Sequence, residues 1–248
     1  MLVFLSVITC AAVFAVLIYR YDLHEKEPWP LVLLVIVLGG MTGWLAGSIE
    51  DALLIGLGQR GESIAVQAAV ASLTEELLKL LAVLFVLVLF AKEFNDPLDG
   101  LIYGAFAGLG AAVEESWFYV FSERDPGLDL VGTEAVRLLL HVFLGGLAGF
   151  GVGLARFRLP YWQALFFGAF ALDLLLHFGW DALCGIPAQG EESMLGQRLL
   201  AIGLMLTALL LFGLAVAFGS RCSKAVHAPE SSKRLLGWPF NRIFGPHE

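Results

Sequence analysis

Long apolar blocks separated by short polar breaks constrain this chain more than any other feature of its sequence. They cover approximately residues 2–20, 30–57, 64–91, 98–122, 130–156, 160–184 and 195–219. At 1.5 Å per helical residue each can cross a hydrocarbon core of ~30 Å, and several exceed that need, so tilt is expected. Hydrophobic residues make up 58% of the 248 and charged residues 15%, against roughly 45–50% and 25% in soluble domains. The mean hydropathy is +0.81. The pattern predicts an all-α, polytopic transmembrane bundle of about seven spans, one domain over 1–219. A soluble, cytoplasmic tail rich in Pro, Ser and basic residues is expected over 220–248.

The first block has no basic residue until Arg20, which follows the apolar run. A cleaved signal would carry its positive charge before that run, so a retained span with its N-terminus outside is expected. Loop charge supports this orientation. Arg20, Lys26, Lys92, Arg156, Arg158, Arg221, Lys224, Lys233, Arg234 and Arg242 fall on one side of the membrane, and only Arg60, Arg124 and Arg198 on the other. The C-terminus is therefore placed in the cytoplasm. A net charge of −8 with no basic patch gives no reason to expect a nucleic-acid partner. Cys10, Cys184 and Cys222 are odd in number and widely spaced, which suggests neither a disulfide framework nor a metal knuckle. Runs such as GLIYGAFAGLGAA and FLGGLAGFGVG place small residues at the spacing that lets membrane helices approach closely.

Against this background the ionisable residues inside the blocks stand out, because each costs about 2.5–3.5 kcal/mol to insert at the centre of a span. Span three carries Glu75, Glu76 and Lys79, span four Glu114 and Glu115, span five Arg137 and His141, and span six Asp173, His177 and Asp181. His177 and Asp181 share a helical face at a spacing of four, as do Arg137 with His141 and Glu115 with Tyr119. Counting residues from the outer end puts Glu75 at ~17 Å, His141 at ~18 Å, and Glu115 and His177 at ~11 Å. Two upward and two downward helices thus bring acid–base groups to the outer half of the membrane, which predicts an outward-opening polar cavity. Glu114 faces another side of its helix from Glu115 and is read as an interface or packing residue. Glu50 and Asp51, near the outer end of span two, are expected to be solvated.

A carboxylate beside a histidine can take a proton from water, and a second, oriented histidine can steady a developing oxyanion. Amide hydrolysis follows as the expected chemistry. Glu75 or Glu76 acts as general base, His141 helps hold the water, and His177 with Asp181 stabilises the tetrahedral intermediate. Glu115, Lys79, Arg137 and Tyr119 are supporting groups, with Arg137 as a counter-charge. No cofactor is required by this scheme. A zinc-dependent membrane protease is the first alternative, with Glu75, Glu76, His141 and His177 as ligands, although HExxH is absent. A proton-coupled transporter is the second, since buried carboxylates also build proton relays, but no two-fold repeat is visible.

The chain also resembles a known family. EELLK (75–79) is similar to the EExxK motif of the PrsW intramembrane proteases, relatives of the CAAX prenyl endopeptidases. RYDLHEKEP (20–28), DGLIYGAFAGLGAAVEESWFY (99–119), RLLLH (137–141) and HFGWD (177–181) resemble further family blocks in the same order, with Glu115 in the glutamate position of the second motif. Ser116 stands where the family usually has Asn, and Ala111 where Phe is common. The resemblance implies a glutamic-type protease of transmembrane helices in a bacterial or archaeal cell membrane. It also implies membrane-anchored protein substrates, such as an anti-sigma factor cut first on its outward side, with membrane lipid as the other partner.

Overall fold

The structure, a computed structural model, describes residues 2–21, 26–122, 129–159, 161–185 and 191–227. It consists of α1 (Leu2–Tyr21), α2 (Trp29–Gly56), α3 (Ile64–Leu89), α4 (Asp99–Ser122), α5 (Asp129–Arg156), α6 (Trp162–Gly185) and α7 (Glu191–His227). There is no strand among the described residues. The helices match the apolar blocks closely, because in a bilayer every backbone N–H and C=O must bond within its own segment. Five of them, α1, α2, α5, α6 and α7, are long and apolar enough to cross a membrane. The other two, α3 and α4, are of similar length but carry the acidic pairs.

Local chemistry sets the helix ends. Pro30 sits in the first turn of α2, where a missing N–H costs nothing. The α2–α3 turn relies on Gly58 and Gly61 at φ of 62° and 76°, a region that side-chain-bearing residues avoid. Ser63 caps α3 by accepting from the Val66 N–H. Between α3 and α4, Asp99 Oδ2 accepts from the backbone N–H of Asn95 and Asp96 at 2.6 and 2.7 Å.

α7 differs from expectation at both ends. The boundary expected at 219/220 lies inside it, because the helix continues to His227. Ser223 there donates to Asp96, and His227 Nε2 lies 3.2 Å from the same carboxylate. The start of α7, expected near 195, lies at Glu191, so the acidic residues 191–192 belong to the first turn of the helix. The rest of the expected tail, 228–248, is outside the described residues, as is much of the 20–28 block.

α4 is the centre of the bundle, buried almost without interruption from Asp99 to Ala112. On one side Gly100, Gly104 and Gly108 lie against the backbone of α5, so a Cβ at each would strike the carbonyl oxygen of Gly149, Gly145 and His141 respectively. On the other, Gly110 lies against the Ile36 carbonyl of α2, and Gly39 of α2 against that of Ala107. Small residues permit backbone-to-backbone contact, which is how membrane helices gain packing energy without a hydrophobic drive. Gly108→Leu is expected to destabilise the bundle by about 1–3 kcal/mol or more and to displace His141. Gly47→Ala, with nothing within 4 Å of the added carbon, should be nearly silent. Thermal unfolding of both variants in detergent checks the contrast.

Candidate active site

One helical turn separates Glu75 and Glu76 from Lys79, and all three face inward from α3. Lys79 is buried, and its Nζ lies 2.5 Å from Glu76 Oε1, 3.5 Å from Glu75 Oε2 and 3.0 Å from His141 Nδ1. An ammonium only donates, so Nδ1 of His141 accepts. The other ring nitrogen, Nε2, lies 3.1 Å from Glu115 Oε2 on α4. α6 contributes His177, whose Nδ1 is 2.6 Å from Glu76 Oε1. Its Nε2 is 3.8 Å from Glu75 Oε2 and 3.4 Å from Asp181 Oδ2. The two imidazoles meet edge to face with centroids 5.1 Å apart. Groups from α3, α4, α5 and α6 therefore converge, as the depth count predicts.

The adjacent glutamates occupy different surroundings. Glu76 is 0% exposed, and its Oε1 is shared between Lys79 and His177. Glu75 is 14% exposed, and its Oε2 lies among Lys79 Nζ, His141 Nδ1 and His177 Nε2 without a contact shorter than 3.5 Å. The short contact to His177 comes from Glu76, while Asp181 holds the opposite nitrogen more loosely.

Around this centre, Arg137 serves as a counter-charge. Its Nη1 donates to both carboxylate oxygens of Glu134 at 2.7 Å, its Nε is 3.4 Å from Glu115 Oε1, and its guanidinium lies 4.2 Å from the Tyr119 ring centroid. Glu134 escaped the sequence reading although its spacing of three from Arg137 was the available signal. Glu50 is not simply solvated: Thr74 Oγ1, one residue before Glu75, lies 2.7 Å from its Oε1. Asp51 does reach solvent, beside Arg60 at 3.5 Å. Asp173 is fully buried one turn before His177, and neither of its oxygens has a hydrogen-bond donor among the described residues. The Ser116 hydroxyl is likewise buried without a partner.

A zinc ion prefers N and O donors in a tetrahedron, and a catalytic site supplies three of them from protein. Glu75, His141 and His177 each offer one atom, and the three lie within 4.8 Å of one another. This set fits zinc in composition and closely in spacing. Glu76 stands outside that set of three; its Oε1 is engaged by Lys79 and His177, while its Oε2 has no hydrogen-bond partner among the described residues. Lys79 occupies the lone pair of His141 Nδ1, so ligation there and this hydrogen bond exclude each other.

Carboxylates, imidazoles and one buried ammonium are gathered inside a helical membrane bundle, an arrangement of the class found at functional sites of membrane enzymes. Residues 27–225 match the model of the PrsW family intramembrane metalloprotease. Protease PrsW of Geobacillus kaustophilus (strain HTA426) is 30% identical over 174 residues, covering 66% of this chain and 72% of the relative. Protease PrsW of Clostridioides difficile (strain 630) is 33% identical over 99 residues, 39% of this chain and 41% of the relative. No solved structure matches. The chain belongs to the PrsW family and is an integral membrane peptide hydrolase.

Proposed function

We propose that this chain hydrolyses a peptide bond of a membrane-anchored protein, with water activated by Glu75. The observation that carries this reading is the seat of Glu75 Oε2, 3.5 Å from Lys79 Nζ and 3.8 Å from both His141 Nδ1 and His177 Nε2, on the member of the pair that is partly exposed. Glu75 takes a proton from water as the water oxygen bonds to the carbonyl carbon. The C=O π pair moves onto the carbonyl oxygen, which faces His177 Nε2. The oxyanion then re-forms the carbonyl, the C–N bond breaks, and Glu75 returns its proton to the leaving nitrogen. Glu76 is the structural member of the pair, fixing His177 and Lys79 together. Asp181 orients the His177 ring from its other side, and His141 lines the seat of the water with Glu115 and Arg137 behind it.

In the orientation favoured by loop charge, this cluster lies in the outer half of a cell membrane. That depth suits an outward-side cut in a single-span anti-sigma factor, the substrate kind that the family resemblance brings. A comparison of membrane proteomes tests the reading, using cells with the parent protein and cells with Glu75→Gln. A membrane-anchored protein should be shortened only with the parent, and identical profiles of peptide termini would count against proteolysis.

The donor set supports a second reading. Glu75, His141 and His177 would hold zinc, which when bound polarises a carbonyl and acidifies water. Lys79 on His141 Nδ1 favours the metal-free form. Cleavage by the purified protein is therefore expected to survive 1,10-phenanthroline, with substoichiometric zinc by elemental analysis. One zinc per chain that is lost together with activity would reverse the order of the two readings.

A further inference from the structure

We propose that the groove between α2 and the last third of α4 docks a transmembrane helix of the substrate, and that Glu114 selects a helix carrying a basic residue. This inference rests on the proteolysis reading and concerns how a substrate is held beside the site. The groove has a volume of about 580 Å³ and is lined by Gly40, Met41, Trp44, Gly110, Glu114 and Trp117, among others. Met41 and Trp44 are 62% and 66% exposed, so the α2 wall is uncovered by the rest of the chain. Gly40 and Gly110 form the floor, where α2 and α4 meet backbone to backbone.

Glu114 sets this groove apart from an ordinary lipid-facing surface. From residue 114 to the end of α4 at 122 is ~12 Å of helix, which places the carboxylate below the headgroups. The side chain reaches toward α2: a Cβ at Gly43 would lie 3.2 Å from its Oε2. It has no hydrogen-bond or ion-pair partner among the described residues, and the charged groups that face it are Glu115 and Glu50, both acidic. A carboxylate on the lipid side of a span calls for a partner, and no described residue offers a cation at that place. Acyl chains have no donor, and headgroup amines lie too shallow. A helix bearing Arg or Lys at the depth of Glu114 provides both the apolar face and the charge. Glu114 shares its turn of α4 with Glu115, which touches His141 from another face of the helix, so a helix held there sits at the same level of the bundle as the acid–histidine cluster.

The test uses the full chain with Glu75→Gln, so that a docked helix is not consumed, in phosphatidylcholine vesicles, with Met41→p-benzoylphenylalanine as photo-crosslinker. The probes are Leu/Ala peptides of about 24 residues, long enough to span, that differ only in carrying Arg, Gln or Glu a third of the way in. The Arg peptide is expected to crosslink at least about tenfold more than the other two, equivalent to about 1.4 kcal/mol. Glu114→Gln should abolish that preference without altering thermal unfolding, and Gly40→Leu should reduce adducts of all three by filling the groove. Equal or absent adducts, an Arg preference that survives Glu114→Gln, or crosslinked pairs of this chain in place of peptide adducts would overturn the proposal. Because the readout is adduct formation in a variant without its general base, it can fail while proteolysis by the parent stands, and the reverse.

Discussion

Glu75→Gln is expected to lower peptide cleavage by about 10²–10⁴-fold, the range a positioned general base contributes. The substitution keeps the size and shape of the side chain but removes its ability to take a proton. Glu75 makes no contact shorter than 3.5 Å, so little packing or pairing is lost and thermal unfolding should stay close to the parent. Glu76→Gln should behave differently. It disturbs the 2.5 Å contact to Lys79 and the 2.6 Å contact to His177, so activity and stability should fall together. The split between the two variants, measured by cleavage in vesicles and by unfolding in detergent, assigns the base. Cleavage by Glu75→Gln within about tenfold of the parent would falsify the role given to Glu75.

The largest stability effect is expected from Lys79→Met. Methionine fills the volume, but fully buried Glu76 then keeps only His177 as a partner for its charge. Removing one member of a buried pair costs about 3–5 kcal/mol, which for a chain of this size lowers Tm on the order of 10 °C. His141 Nδ1 loses its donor as well. The double variant Lys79→Met/Glu76→Gln removes the stranded charge and should recover much of the loss, the non-additivity expected of groups in contact. An unfolding midpoint for Lys79→Met equal to that of the parent would mean that the ion pair contributes no net stability.

How much of this was legible in the chain varied with the range of the interaction. Span positions were legible because lipid enforces helices and hydropathy marks their lengths. Contacts within one helix were also legible: Lys79 with Glu75 and Glu76, and His177 with Asp181, follow from 3.6 residues per turn. Glu134 was legible in the same way, three residues before Arg137, but the sequence reading leaves open which carboxylate the Arg137 counter-charge serves. Contacts between helices were not. Nothing local indicates that Thr74 meets Glu50, or that Ser223 reaches Asp96 across 127 positions and carries α7 past its expected end. The choice between Glu75 and Glu76 also depended on rotation. Adjacent helical residues differ by about 100° in direction, and only packing against α5 and α6 decides which one is sealed and which stays partly exposed.

The glycine seam along α4 has a mechanical consequence. Rolling α4 about its own axis against α5 would turn side chains such as Leu101 or Phe106 toward the carbonyl oxygens that Gly100, Gly104 and Gly108 now meet, so the two helices resist rotation relative to each other. That ties Glu115, Arg137 and His141 into one rigid jaw. Movement, if the enzyme opens and shuts, is easier at the contact of α3 with α6, where the side-chain links of Glu75 and Glu76 to His177 stand in place of a glycine seam.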